Sequence, residues 1–157
     1  MEFSQKELEL LKKLGEGNTA FATLTTSLQR SESQLYRLVK QLKQKQLLIV
    51  KKRTLHLVKL PHILLLIQIL LEYPNLIPLF SDSGIAILQL FLEPKTVQDV
   101  TQKLKLKKSV LYKKINHAES MSLIKKQGKA YVLNEKVWYQ VYEFLAQLKK
   151  YEENVDQ

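Results

Sequence analysis

The chain has 157 residues, a formal net charge of +10, four glycines and no cysteine. Lack of cysteine excludes disulfides, thiol catalysis and cysteine-based zinc sites, and none of the four glycines stands in a phosphate-cradling loop. The charge is uneven: 12 basic residues oppose 5 acidic ones over 1–60 and 11 oppose 5 over 81–136, whereas 61–80 is net −1 and 137–157 net −2. Two basic blocks of this kind suit a polyanion-binding surface carried twice.

In chain order, residues 4–14 predict a first helix. Ser4 caps it, Glu7 completes a capping box, and Leu8, Leu11 and Leu14 form its inward stripe. Gly15-Glu16-Gly17-Asn18 breaks it. Residues 19–28 are a second short helix, apolar at Phe21, Leu24 and Leu28, followed by a turn at Gln29-Arg30-Ser31. A longer helix begins at Ser31 or Ser33, with Leu35, Leu38, Val39 and Leu42 at i, i+3, i+4 and i+7. Its outward set is Ser33, Gln34, Arg37, Lys40 and Gln41, and Tyr36 falls at the edge. Residues 47–50 and 54–58 are β-leaning and flank the cations Lys51, Lys52 and Arg53. With no Gly or Asn at that tip, a loose hairpin is expected.

This order is the helix-turn-helix arrangement followed by a wing. The run Ser31-Glu32-Ser33-Gln34-Leu35-Tyr36-Arg37-Leu38-Val39-Lys40 with Lys45-Gln46-Leu47-Leu48 resembles the recognition helix and wing of MarR-like and ArsR-like transcription regulators. It departs from their pattern at Gln46, where a helix-ending glycine is usual. The resemblance implies duplex DNA as the partner. Gln34 suits an adenine edge and Arg37 a guanine edge, and both also suit phosphate. Ser31, Ser33, Lys40 and Gln41 lie along the same face; Tyr36 either packs at the core edge or touches phosphate. Lys51, Lys52 and Arg53 would meet backbone or the minor groove.

Residues 61–72 predict a helix started by Pro61 and apolar almost all round, which requires burial on several sides. Residues 73–80 form a packed connector. Beyond it the pattern repeats at an offset of 76. Leu14, Leu24, Leu28, Ser33, Leu35, Tyr36, Val39, Leu47 and Leu57 fall on Leu90, Val100, Leu104, Ser109, Leu111, Tyr112, Ile115, Leu123 and Leu133. The second unit opens with a cap cluster at Ser81-Asp82-Ser83 before a helix over 85–92, then a short helix over 96–104 capped by Thr96 with Asp99. Its second long helix runs over 109–122 with Val110, Leu111, Ile115 and Ala118 inward. Lys107, Lys108, Ser109, Lys113, Lys114, Asn116 and His117 lie outward, and Lys126 and Lys129 flank a turn at Gly128. Lysines here suit backbone binding more than base reading. Residues 135–153 predict the last helix, with Val137, Trp138, Val141, Tyr142, Leu145 and Leu148 on its apolar face, and an acidic frayed end from Glu152.

The expected fold is therefore mainly α with small β-wings: two tandem winged helix-turn-helix domains over 1–60 and 81–134. Each is followed by an extra helix, 61–80 including its connector and 135–157 with its tail. No catalytic constellation, metal ligand spacing or cofactor motif is present, so no enzyme, metal or cofactor is expected. The expected function is a DNA-binding transcription regulator resembling archaeal tandem winged-helix proteins, with a homodimer seam through 61–72 and 135–151. The alternative is a winged-helix protein-interaction module, and RNA is a third partner for the same basic surface. The start MEFSQKELEL lacks an apolar signal core and the longest apolar stretch, 63–71, falls short of the about 20 residues a spanning helix needs. A cytoplasmic protein without membrane contact is expected.

Overall fold

The computed structural model describes residues 1–155 and is mainly helical, with two small antiparallel sheets. The chain divides into an N-terminal unit, Ser4–Ile77, and a C-terminal unit formed by Pro78 onward together with Met1–Phe3. Helix 61–72 falls within the first of these units. Among the described residues no single helix is long and apolar enough to cross a membrane.

The N-terminal unit runs α1 (Gln5–Gly15), α2 (Phe21–Ser27), α3 (Glu32–Gln44), β1 (Leu48–Lys51), β2 (Thr54–Leu57) and α4 (Pro61–Glu72). α1 starts on the expected capping box: Ser4 Oγ accepts from the Glu7 N–H at 3.1 Å, and Glu7 Oε1 accepts from the Ser4 N–H at 2.9 Å. Glu7 is itself buried, and its other carboxylate oxygen accepts from the Lys45 ammonium at 2.7 Å. A buried carboxylate needs such partners, and this one ties the start of α1 to the residue that caps α3. The core of the unit is leucine-rich: Leu8, Leu11 and Leu14 of α1, Leu35 and Leu42 of α3, and Ile63, Leu66 and Leu70 of α4 are all buried.

α2 is shorter than expected because Thr19 and Ala20 are drawn into strand pairing. Ala20 bridges Thr54, and the Leu55 N–H donates to the Thr19 carbonyl at 2.8 Å. The β1–β2 hairpin is closed, with Leu48 opposite Leu57 and Lys51 opposite Thr54. The loose tip expected there is instead a two-residue turn: Lys52 and Arg53 take φ of 50° and 60°. Consecutive left-handed residues are the signature of the turn type that matches strand twist. The strain of a side chain in this region, roughly 1 kcal/mol or more per residue, is offset by the ladder and by the Phe21 N–H donating to the Arg53 carbonyl at 3.2 Å.

After a 3₁₀ turn at Pro74–Leu76 and α5 (Ile77–Phe80), the C-terminal unit runs α6 (Gly84–Leu90), β3 (Lys95–Thr96), α7 (Val97–Leu104), α8 (Lys108–Ser120), β4 (Ile124–Gln127), β5 (Ala130–Leu133) and α9 (Tyr139–Val155). The offset of 76 carries α3 onto α8, β1 onto β4 and β2 onto β5 residue for residue. It also carries the backbone exceptions: left-handed Gln29 and Gln46 fall on left-handed Lys105 and Ser122. The Ala20–Thr54 bridge falls on the Thr96–Ala130 pair of β3 with β5.

Several expectations for this unit are corrected. Ser83 makes no side-chain cap for α6. Ser81 instead donates to the Pro78 carbonyl at 2.9 Å, and Asp82 (φ 57°) pairs with Phe3. Val110 is 40% exposed, because only Leu111, Ile115 and Ala118 share the buried i, i+4, i+7 stripe. The last helix starts at Tyr139, four residues later than expected. Residues 134–138 form a turn in which the Trp138 N–H donates to the Asn134 carbonyl at 2.9 Å, and the Trp138 indole N–H donates to the Met121 carbonyl at 3.0 Å. Val137 is consequently exposed. The expected fray from Glu152 is helical through Val155; residues 156 and 157 lie outside the described residues.

Two glycines mark close approaches of different hardness. A Cβ at Gly84 would lie 1.7 Å from the Leu79 carbonyl oxygen, whereas one at Gly15 would lie 2.3 Å from a methyl of Ile67. Backbone cannot step aside, whereas the Ile67 methyl, held on a β-branched carbon, moves with a change of rotamer. Gly84→Ala is therefore expected to destabilise by about 2–3 kcal/mol. Gly15→Ala, which gains up to about 1 kcal/mol of helix propensity, should lose less. Urea unfolding of the two variants checks the order.

Candidate nucleic-acid interface

α3 begins on a second capping box. Ser31 Oγ accepts from the Gln34 N–H at 3.2 Å, and Gln34 Oε1 accepts from the Ser31 N–H at 3.0 Å. Ser31 Oγ also lies 3.1 Å from Ser33 Oγ. The Gln34 amide oxygen is thus engaged in the cap at an exposed position of the helix start. Beyond the cap, Ser33, Arg37 and Gln41 form one exposed stripe, and Tyr36, Lys40 and Lys43 form another beside it. Lys43 was not singled out on sequence. Tyr36 is 52% exposed, with its ring 4.9 Å from the ring of buried Phe21.

The hairpin tip meets the start of α3. Arg53 is ion-paired with Glu32 of the first helical turn and sits over the Phe21 ring at 5.7 Å. The Glu32 carboxylate raises the Arg53 guanidinium further above its ordinary value. Both side chains are solvent-exposed, where such a pair contributes little to stability. It marks where the tip comes beside the start of the helix. Lys51 and Lys52 are exposed beside it. Glu32, at the one acidic position of this face, was overlooked because its role depends on the turn that brings Arg53 back to it.

In the C-terminal unit, Lys107 caps α8 without a side-chain hydrogen bond, and Lys108, Ser109 and Lys113 are exposed. Lys108, Lys126 and Lys129 line one groove together with Gln98, Thr101 and Tyr112. Lys125 on β4 is exposed as well and was not anticipated. His117 is half-buried on α8, with its carbonyl accepting from Ser120 Oγ at 2.6 Å.

Lys114 is the clear departure. Its ammonium turns inward and donates to the Pro78 carbonyl at 2.6 Å and the Ser81 carbonyl at 2.9 Å. Burial pulls it below the ordinary lysine value, partly opposed by the Asp82 carboxylate. It closes the end of α5 and does not face outward with Lys113. Among the described residues no group of three or more His, Asp or Glu side chains is placed to hold a metal ion.

No protein-family model, curated protein or solved structure matches the chain. The functional reading rests on the residues themselves.

Lys114→Met is expected to lower stability by about 1–3 kcal/mol, because two carbonyls lose a charged donor, while Lys113→Ala leaves it within about 0.5 kcal/mol. Thermal denaturation of the pair separates the inward lysine from the outward one.

Proposed function

We propose that the chain is a tandem winged helix-turn-helix protein that binds duplex DNA and regulates transcription, with α3 and α8 as recognition helices and the two hairpins as wings. The observation that carries this reading is the same in both units. The exposed N-terminal half of the long helix lies on one face with a cationic hairpin tip: Arg53 pairs with Glu32 in one, and Lys108, Lys126 and Lys129 line one groove in the other. Such a pairing suits a duplex, whose groove receives a helix while the flanking phosphates meet the wing. The strained turn supports it too: Lys52 and Arg53 hold a conformation easier for Gly or Asn, which keeps two cations at the tip.

Roles follow from position. Ser33, Arg37 and Gln41 face base edges in the N-terminal unit, and Lys40, Lys51 and Lys52 meet phosphates. In the C-terminal unit Lys107, Lys108, Lys113, Lys126 and Lys129 all suit phosphate, so this unit positions and the other specifies. A second reading, a homodimer seam along 61–72 and 135–151, draws on Leu64 and Leu71, exposed on α4, and on Val137 and Tyr139, exposed at the start of the second stretch.

The test is selection from a random-sequence duplex library at two salt concentrations. An enriched motif that survives the higher salt supports a sequence-selective regulator; absence of binding at low salt overturns DNA as the partner. On a selected site, Arg37→Ala is expected to cost about 1–3 kcal/mol. Lys52→Ala should weaken selected and random duplexes alike and reduce the salt slope by about one. Equal effects of the two changes on both duplexes would remove Arg37 from base reading.

A further inference from the structure

The second exposed stripe of α3 borders a groove that a duplex does not explain. Its volume is about 430 Å³, within the roughly 300–1,000 Å³ of small-ligand pockets. Phe21, Tyr36, Val39 and Val50 make an apolar floor, and Lys40, Lys43 and Arg53 stand at its rim. Tyr36 leans on Phe21, which is 3% exposed, so its ring is held from below while half its surface stays open. A phosphodiester ridge gains nothing from an aromatic plate. Paired bases offer a groove only their edges. A base presents its face once it is unpaired, and stacking on an aromatic ring with cations along the backbone is how single strands are bound.

We infer that this groove takes an unpaired nucleobase stacked on Tyr36, with the flanking phosphates on Lys40, Lys43 and Arg53, so that the N-terminal unit binds single-stranded nucleic acid. The repeat provides an internal contrast. At the offset of 76, Phe21 becomes Val97, Lys40 becomes Asn116 and Lys43 becomes Glu119, while Tyr36 is kept as Tyr112. The C-terminal tyrosine thus lacks both the ring beneath it and the two lysines beside it. The groove it lines also holds Tyr131, but is otherwise made of hydroxyls, amides and ammonium groups such as those of Thr101, Gln98, Lys108 and Lys126, which suit a sugar-phosphate backbone. The tyrosine resting on a buried phenylalanine is particular to the N-terminal unit.

The inference rests on the preceding reading only in placing nucleic acid on this face, and a duplex arm separates the two. Fluorescence anisotropy of the full chain would compare labelled oligo(dT), oligo(rU), an abasic strand of equal length and a duplex, for wild type, Tyr36→Ala and Tyr36→Phe. Tyr36 is exposed enough for both variants to fold, and circular dichroism verifies it. The expected result is oligo(dT) or oligo(rU) binding above the abasic strand, the tighter of the two naming DNA or RNA as the source. Tyr36→Ala should lose about 5- to 100-fold on that strand while abasic and duplex binding hold, and Tyr36→Phe should retain affinity. Equal binding of base-bearing and abasic strands, or an equal loss on every probe, overturns the stacking site. Single-strand binding without duplex binding overturns the duplex reading and leaves the stacking site standing.

Discussion

The hairpins could not lie beside their helices without one left-handed residue after each helix. Gln46 (φ 62°) and Ser122 (φ 56°) reverse the chain at the ends of α3 and α8. The next residue turns back at once: the Leu47 N–H donates to the Leu42 carbonyl at 3.0 Å, and the Leu123 N–H donates to the Ala118 carbonyl at 2.9 Å. Each reversal costs roughly 1–2 kcal/mol for a residue that is not glycine. It sets Leu47 and Leu123 into the core at 1% and 0% exposure, which contributes about 1.5–3 kcal/mol apiece. Burial therefore outweighs strain, and the helix-ending glycine of related patterns can be dispensed with. The same leucines then fix the far strands, whose ends close on the Leu47 and Leu123 carbonyls at 2.9 and 2.8 Å.

On this shared frame the two units carry different surfaces. The N-terminal one holds a mixed set: Ser33, Arg37 and Gln41 on one stripe, an aromatic ring on the next, and an acidic side chain paired with a tip arginine. The C-terminal one holds lysines, with one of them, Lys114, withdrawn to close the turn at Pro78 and Ser81. Repetition of the architecture has preserved the backbone exceptions more faithfully than the side chains that surround them. That is the pattern expected when the fold constrains the turns and the exposed faces are free to diverge.

Much of the local structure was legible in the residues. The capping boxes at Ser4 and Thr96 and the apolar stripes of α1 and α3 need only neighbours in sequence, and the structure has them; α4, expected to be buried on several sides, keeps Leu64 and Leu71 exposed. The box at Ser31 is half visible in sequence: Ser31 reads as a cap, whereas the backward reach of Gln34 shows only in the structure. What was missed depends on distant partners. Glu7 is a surface type of residue whose burial follows from Lys45, 38 residues away. Lys114 sits in a lysine run, and only the carbonyls at Pro78 and Ser81 reveal that it points in. The tight tip at Lys52-Arg53 contradicts local turn chemistry because the strand pairing of Thr19 and Ala20 overrides it.

We propose that the α3 face and the α8 face, each with its hairpin tip, bind nucleic acid. Titration of isotopically labelled protein with a short duplex, followed by amide chemical shifts, tests it directly. The account predicts shifts gathered on Ser33, Arg37, Gln41, Lys51 and Lys52, and on Lys108, Lys113, Lys126 and Lys129, with the exposed side of α4 at Leu64 and Leu71 silent. Shifts absent from both helices and tips, or gathered on α4 instead, would contradict it.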